Sequence, residues 1–132
     1  MTITLTDQDK STLRVAAYGA VTLMAAAGGS SHRAATDGTL ALASATGLTG
    51  HVLAAKSKDI KLTGKTVAEL ADQVLPALAA AVNLLERQDP AEADNFRGTV
   101  TVAVESATRT RQGQPGPAAA EMARKITAAL AA

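Results

Sequence analysis

The chain has 132 residues, with 13 Lys and Arg against 12 Asp and Glu, and 47% of it is hydrophobic, which suits one soluble domain. A formal net charge of +1 argues against a strongly basic nucleic-acid binder and against an acidic tail. The absence of cysteine excludes a disulfide framework, a thiol nucleophile and a zinc finger.

Alanine occupies 31 positions, whereas the chain has one tyrosine and one phenylalanine. Alanine has the highest helix propensity, and its small side chain lets packed helices approach closely. The first seven residues lack the basic region of a signal peptide. The longest apolar stretch, residues 15–29, is shorter than the roughly 20 residues that cross a bilayer. We therefore expect a cytoplasmic protein without membrane insertion.

The first helix is predicted to begin at Thr6. Thr6 and Asp9 have the spacing of a capping box, in which side-chain oxygens satisfy free N–H groups of the first turn. From Leu13 onward nearly every position is apolar, up to the pair Gly28-Gly29 that ends the helix. A helix that is apolar on all sides lies either in the centre of a bundle or between subunits.

Residues 31–56 are compatible with two arrangements. Their apolar positions follow helical spacing, but Gly38, Gly47 and Gly50 each weaken a helix by about 1 kcal/mol relative to alanine. The segment therefore forms either one long irregular helix or two shorter helices joined near Gly47.

The two-helix arrangement matches a helix-turn-helix pattern within residues 40–58. Ala43 would permit close approach of the helices, Gly47 would adopt the left-handed turn, and Thr49 would cap the second helix. Against it, Gly50 is a poor start for a recognition helix and no arginine lies where bases are read. In a DNA-binding protein of this type, the side chains that contact DNA would be Thr49, His51, Lys56 and Lys58.

The third helix has the clearest sequence pattern. Thr66 and Glu69 form a capping box at its start, and Pro76 within it is predicted to kink it. One helical face is apolar: Val67, Leu70, Val74, Leu78, Ala81 and Leu85.

A fourth helix is predicted to begin with Asp89 as N-cap and Pro90 as first helical residue. Residues 99–104 alternate like a strand, but they would have no partner strand, so helix is the prediction. A last helix follows from Pro117. The sequence thus predicts an all-α fold, a compact bundle of five or six helices with short loops in a single domain, residues 1–132. The apolar side of the last helix is Met122, Ile126, Ala129 and Leu130.

Few side chains of this sequence could catalyse a reaction or bind a ligand. His32 and His51 lack a metal-binding spacing, so no metal or cofactor is expected. No nucleophile, base and orienting group can be placed together, which argues against an enzyme. Tyr18 and Met24 mark a possible pocket, although a buried tyrosine with a satisfied hydroxyl is the commoner case.

Three functions remain after these exclusions. The first is a non-enzymatic interaction module that forms a homodimer through the alanine-rich face of the first or the third helix. The second is a DNA-binding protein that uses residues 40–58, and the third is a bundle that binds a small ligand or lipid near Tyr18 and Met24.

Several segments of the chain resemble a family of small helical proteins from GC-rich actinobacteria. This resemblance implies a helical fold and carries no activity, cofactor or site residue. The segments are LRVAAYGAV (13–21), ATGL (45–48), VLPAL (74–78) and NFR (95–97).

Overall fold

The computed structural model describes residues 5–28, 41–42, 47–54, 62, 65–108 and 117–131. It contains α1 (Asp7–Gly28), α2 (Gly47–Ala54), α3 (Val67–Gln88), α4 (Pro90–Thr108) and α5 (Pro117–Ala131). These residues include no strand, and the helices pack around a shared apolar core, so the predicted all-α bundle is confirmed. Most of the segment predicted as one or two helices, residues 31–56, lies outside the described residues.

α1 is the central helix and contacts each of the other four helices named above. Its predicted capping box is present: the Thr6 N–H donates to Asp9 Oδ2 at 3.1 Å, and the Asp9 N–H donates to Thr6 Oγ1 at 3.0 Å. Ala16, Ala17 and Ala20 are completely buried by the chain itself. Of the two predicted positions for this helix, the centre of a bundle is the one observed.

Gly19 lies at a close approach between α1 and α3. A Cβ atom at this position would lie 2.7 Å from Cγ2 of Val74 and 3.4 Å from Cδ2 of Leu62. Val74 is completely buried and β-branched, so its side chain has little freedom to move aside. The core is therefore closed here by bringing two backbones together rather than by filling the space with a ring.

α3 begins after the N-cap Thr66 as predicted, but only one of the two hydrogen bonds of the predicted capping box forms. The Glu69 N–H donates to Thr66 Oγ1 at 3.1 Å, and the Glu69 carboxylate accepts from the Lys65 N–H at 3.2 Å rather than from the cap residue itself. The helix continues through Pro76 to Gln88. Its predicted inner face is buried except for Val67, which is 37% exposed because it is the first residue of the helix.

α4 includes the segment that alternates like a strand. Asp89 Oδ1 accepts from the Ala91 N–H at 3.0 Å, and Pro90 is the first helical residue, as predicted. Phe96 and Val100 are completely buried, as expected for the inner face of a helix. The start signal and the 3.6-residue period thus outweigh the β-propensity of residues 99–104.

Arg97 connects three helices. Its Nε donates to the carbonyl oxygen of Leu130 at 2.9 Å, its Nη2 pairs with Glu86 at 2.8 Å, and its Nη1 pairs with Asp94 at 2.8 Å. A cation beside the last carbonyls of α5 complements the negative end of the helix dipole. On the predicted inner side of α5, Met122, Ile126 and Leu130 are buried and Ala129 is half-buried.

Candidate interaction surface

Two side chains of α1 hold the last turn of α2. The Tyr18 hydroxyl donates to the carbonyl oxygen of Leu53 at 2.5 Å, and Nε of Arg14 donates to that of Val52 at 3.2 Å. The final carbonyls of a helix have no partner within the helix, and an eight-residue helix is marginal by itself. α1 therefore supplies the hydrogen bonds that end α2.

The Tyr18 hydroxyl has a structural partner in this arrangement. Burial raises the pKa of this phenol above its usual value, and the positive charge of Arg14 lowers it by a smaller amount. Met24, the second residue of the predicted pocket, is completely buried in the core six residues further along α1. The Tyr18 hydroxyl thus donates a hydrogen bond to the end of α2, and the Met24 side chain fills space in the core.

The start of α2 lies against α4. Gly47 has φ +74°, the left-handed conformation that the helix-turn-helix pattern requires of it. A Cβ atom at Gly47 would lie 3.1 Å from Nδ2 of Asn95 and 3.1 Å from Oε2 of Glu92. A carboxylate beside the first turn of α2 suits the positive end of that helix.

The predicted DNA-contacting residues are only partly within the described structure. His51 is exposed on α2, and Thr49 lies in the same helix. Lys56 and Lys58 lie outside the described residues, so their position relative to His51 is not defined. A recognition helix approaches bases with its N-terminal residues. The Glu92 carboxylate lies beside the first residue of α2, so it would face the negatively charged phosphates of a bound duplex, which disfavours DNA binding.

The outward side of α3 carries a regular row of side chains that we call the outer seam. Its positions alternate in spacing between four and three residues, which is the repeat that keeps one helical stripe facing a partner helix. At the centre of the seam, Pro76 and Ala80 are small, apolar and exposed. The outer seam consists of Glu69, Gln73, Pro76, Ala80, Asn83 and Arg87.

The two ends of the outer seam have opposite charge. Glu69 and Asp72 are exposed in the first two turns, and Arg87 is exposed in the last turn. Nε of Arg87 donates to the carbonyl oxygen of Asn83 at 3.3 Å, while the adjacent Glu86 is paired with Arg97. Within the described part of the chain, no carboxylate lies within ion-pair distance of Arg87.

α3 buries its large apolar side chains in the core or packs them against it, with the exception of Val67. By length and composition it is the one described helix that could cross a membrane, yet only 28% of its most apolar 18-residue window is buried. Among the described residues, the other large exposed hydrophobic side chain besides Val67 is Val102 on α4, at 54% exposure. A single exposed valine is ordinary. The exposed apolar residues of α3 are Val67 and Ala68 in its first turn and Pro76 and Ala80 at the centre of the outer seam.

The residues of the inner face of α3 and those of its outer seam both recur with helical spacing. The sequence indicated the alanine-rich face of this helix, whereas the outer seam was not predicted, although its alternating spacing from Glu69 to Arg87 is present in the sequence.

Among the residues the structure describes, no group of three or more His, Asp or Glu side chains could hold a metal ion. No protein-family model, curated protein or solved structure matches the chain.

Proposed function

We propose that this protein is a self-associating helical module that forms a homodimer through the outer seam of α3. The observation that carries the proposal is the exposed, apolar centre of the seam at Pro76 and Ala80, between ends of opposite charge at Glu69 and Arg87. Removing such a surface from water stabilises a complex by roughly 25 cal/mol per Å² of apolar area before the costs of association.

α3 is a better candidate than α1 for this interface. Most alanines of α1 face the core: Ala16, Ala17 and Ala20 have no exposed surface, whereas Ala26 near the end of the helix is exposed. Self-association through α1 would require the bundle to open. The outer seam of α3 is accessible without any rearrangement.

A second copy suits the outer seam better than a lipid bilayer does. α3 also contributes Leu70, Leu78 and Leu85 to the core, and it packs against α1, α4 and α5. To cross a membrane, the helix would have to abandon those contacts and leave the apolar side of α1 uncovered. A docked helix from a second copy would leave the core intact.

The test is the substitution Ala80→Glu, which places a charge at the apolar centre of the seam. We expect the wild-type protein to be a dimer at micromolar concentration and Ala80→Glu to be a monomer, because the interface would have to bury a carboxylate without a partner. Size-exclusion chromatography with light scattering gives the mass. The matched control is Ala128→Glu, an equally conservative change at an exposed alanine of α5, which should remain dimeric.

Circular dichroism of both variants separates loss of the dimer from loss of the fold. A wild-type protein that is monomeric throughout the micromolar range contradicts the proposal. An Ala80→Glu variant that remains dimeric contradicts the choice of surface.

DNA binding by residues 40–58 is the second candidate, and the left-handed Gly47 is the observation that favours it. Binding to mixed duplex DNA should then weaken steeply with salt, because lysines displace counterions from phosphates. Lys56→Glu and Lys58→Glu should each reduce the affinity and the salt dependence in a fluorescence anisotropy titration. Absence of binding even at low salt excludes this candidate.

A further inference from the structure

We infer that the second copy docks antiparallel, with the two-fold axis crossing α3 at the level of Leu78, so that Glu69 of each copy pairs with the partner's Arg87. This inference rests on the proposed self-association and specifies its geometry. The occupant of the outer seam is then a second α3 in the opposite direction.

The charges of the seam are placed symmetrically about Leu78. Glu69 and Arg87 each lie nine residues from it, which is about 13.5 Å along the axis at 1.5 Å per residue. An antiparallel pair centred there brings each glutamate level with the partner's Arg87. One contact therefore occurs twice, as a two-fold interface requires.

The interior of the seam has the same symmetry. Pro76 and Ala80 are each two residues from Leu78, so Pro76 of one copy lies level with the partner's Ala80, and Ala80 lies level with the partner's Pro76. These small side chains allow the helix axes to approach to the 8–10 Å of packed helices. Gln73 and Asn83 are each five residues from Leu78, so a polar side chain meets a polar one, which helps to fix register in helix pairs.

A parallel pair is disfavoured by the same residues. It would place Glu69 beside the partner's Glu69 and Arg87 beside the partner's Arg87, with Pro76 meeting the partner's Pro76. Like charges at such positions repel, and no residue of the outer seam would compensate for them. The opposite charges of Glu69 and Arg87 at the two ends of the outer seam therefore select the antiparallel direction.

The experiment is a charge-reversal cycle with Glu69→Lys, Arg87→Glu and the double variant. Each single change replaces two attractive pairs by two repulsive ones, so we expect the dimer dissociation constant to rise about tenfold at low salt. Because Glu69→Lys also removes the acceptor of the Lys65 N–H, circular dichroism of each variant checks that the fold is retained. The double variant restores opposite charges across both contacts, so its dissociation constant should return close to that of the wild type. Sedimentation equilibrium measures the constants.

The matched control is Lys125→Glu, which makes the same change in charge as Arg87→Glu at an exposed position on α5. It should leave the dissociation constant unchanged. Added salt should reduce the effect of the single variants, because exposed ion pairs are screened.

The outcomes separate the geometry from the proposed function. If the wild type is a dimer that Ala80→Glu dissociates, but the double variant is weaker than either single one, α3 is the interface and the antiparallel register is wrong. If the wild type is a monomer, or if Ala80→Glu remains dimeric, the proposed interface and this geometry are both wrong. The antiparallel pair is supported if both single variants dimerise more weakly than the wild type and the double variant recovers the affinity.

Discussion

Individual glycines of this chain have opposite structural roles in the same kind of helix. At Gly19 a Cβ atom would lie 2.7 Å from a methyl group of the buried Val74. At Gly98, in α4, a Cβ atom would meet no atom within 4 Å. Helix propensity is identical at the two sites in principle, so their difference comes entirely from what packs against them.

The substitutions Gly19→Ala and Gly98→Ala should therefore change stability in opposite directions. Alanine gains about 1 kcal/mol over glycine in a helix interior, so Gly98→Ala should raise the free energy of unfolding by about that amount. At Gly19 the added methyl overpacks the core, and we expect a net loss of about 1–2 kcal/mol. Urea denaturation at one protein concentration measures both, and destabilisation by Gly98→Ala would contradict the open space at that site.

Among the elements, α2 depends most on contacts outside its own sequence. It has eight residues, its last carbonyls accept from Arg14 and Tyr18, and Gly47 at its start lies beside Glu92 and Asn95. α1 instead begins with a capping box between Thr6 and Asp9, and at the start of α3 the Thr66 hydroxyl accepts from the Glu69 N–H, so both starts depend on residues three apart. Local capping makes the starts of the long helices predictable, while α2 is positioned by residues distant in the chain.

Tyr18→Phe tests the hydrogen bond that ends α2. Loss of the hydroxyl should lower the free energy of unfolding by about 1 kcal/mol at pH 7, because the Leu53 carbonyl loses its donor. Burial raises the pKa of Tyr18 in the folded protein, so its contribution is complete below about pH 10, the pKa of the unfolded phenol, and is lost as pH rises through the folded value. The difference between the variant and the wild type should therefore narrow in alkaline solution.

Urea denaturation at pH 7 and in alkaline buffer measures that difference. Tyr18 is the single tyrosine of the chain, so its phenolate absorbance follows the same titration directly. A stability difference that stays constant as Tyr18 ionises would contradict the assignment of its hydroxyl as the donor to α2.

At the scale of the molecule, the arrangement of helices decides which apolar surface stays exposed. α1 is apolar at nearly every position from Leu13 onward and is enclosed by the helices packed on it, whereas most of the outer seam of α3 is exposed. Arg97 fixes α3, α4 and α5 together through Glu86, Asp94 and Leu130. The last turn of α3 is thus connected to α4 and α5 by these contacts.

Much of this fold could be predicted from the sequence because its signals are local. Thr6 with Asp9, Thr66 with Glu69, and Asp89 with Pro90 define helix starts within one turn, and the 3.6-residue period identifies the inner faces of α3 and α5. The alternating residues 99–104 needed the wider context of α4. The spacing of the outer seam is present in the sequence, but the sequence does not show that this side of α3 is exposed.

The sequence by itself determined the helical class, the starts of the long helices and the small side chains with which they pack. Each of these depends on residues within a few positions of one another. Only the tertiary structure decided that α1 is enclosed while α3 retains a bare side, and that Tyr18 reaches Leu53, 35 residues away. Periodicity reveals that a face is apolar, but which partner covers it depends on contacts between distant parts of the chain.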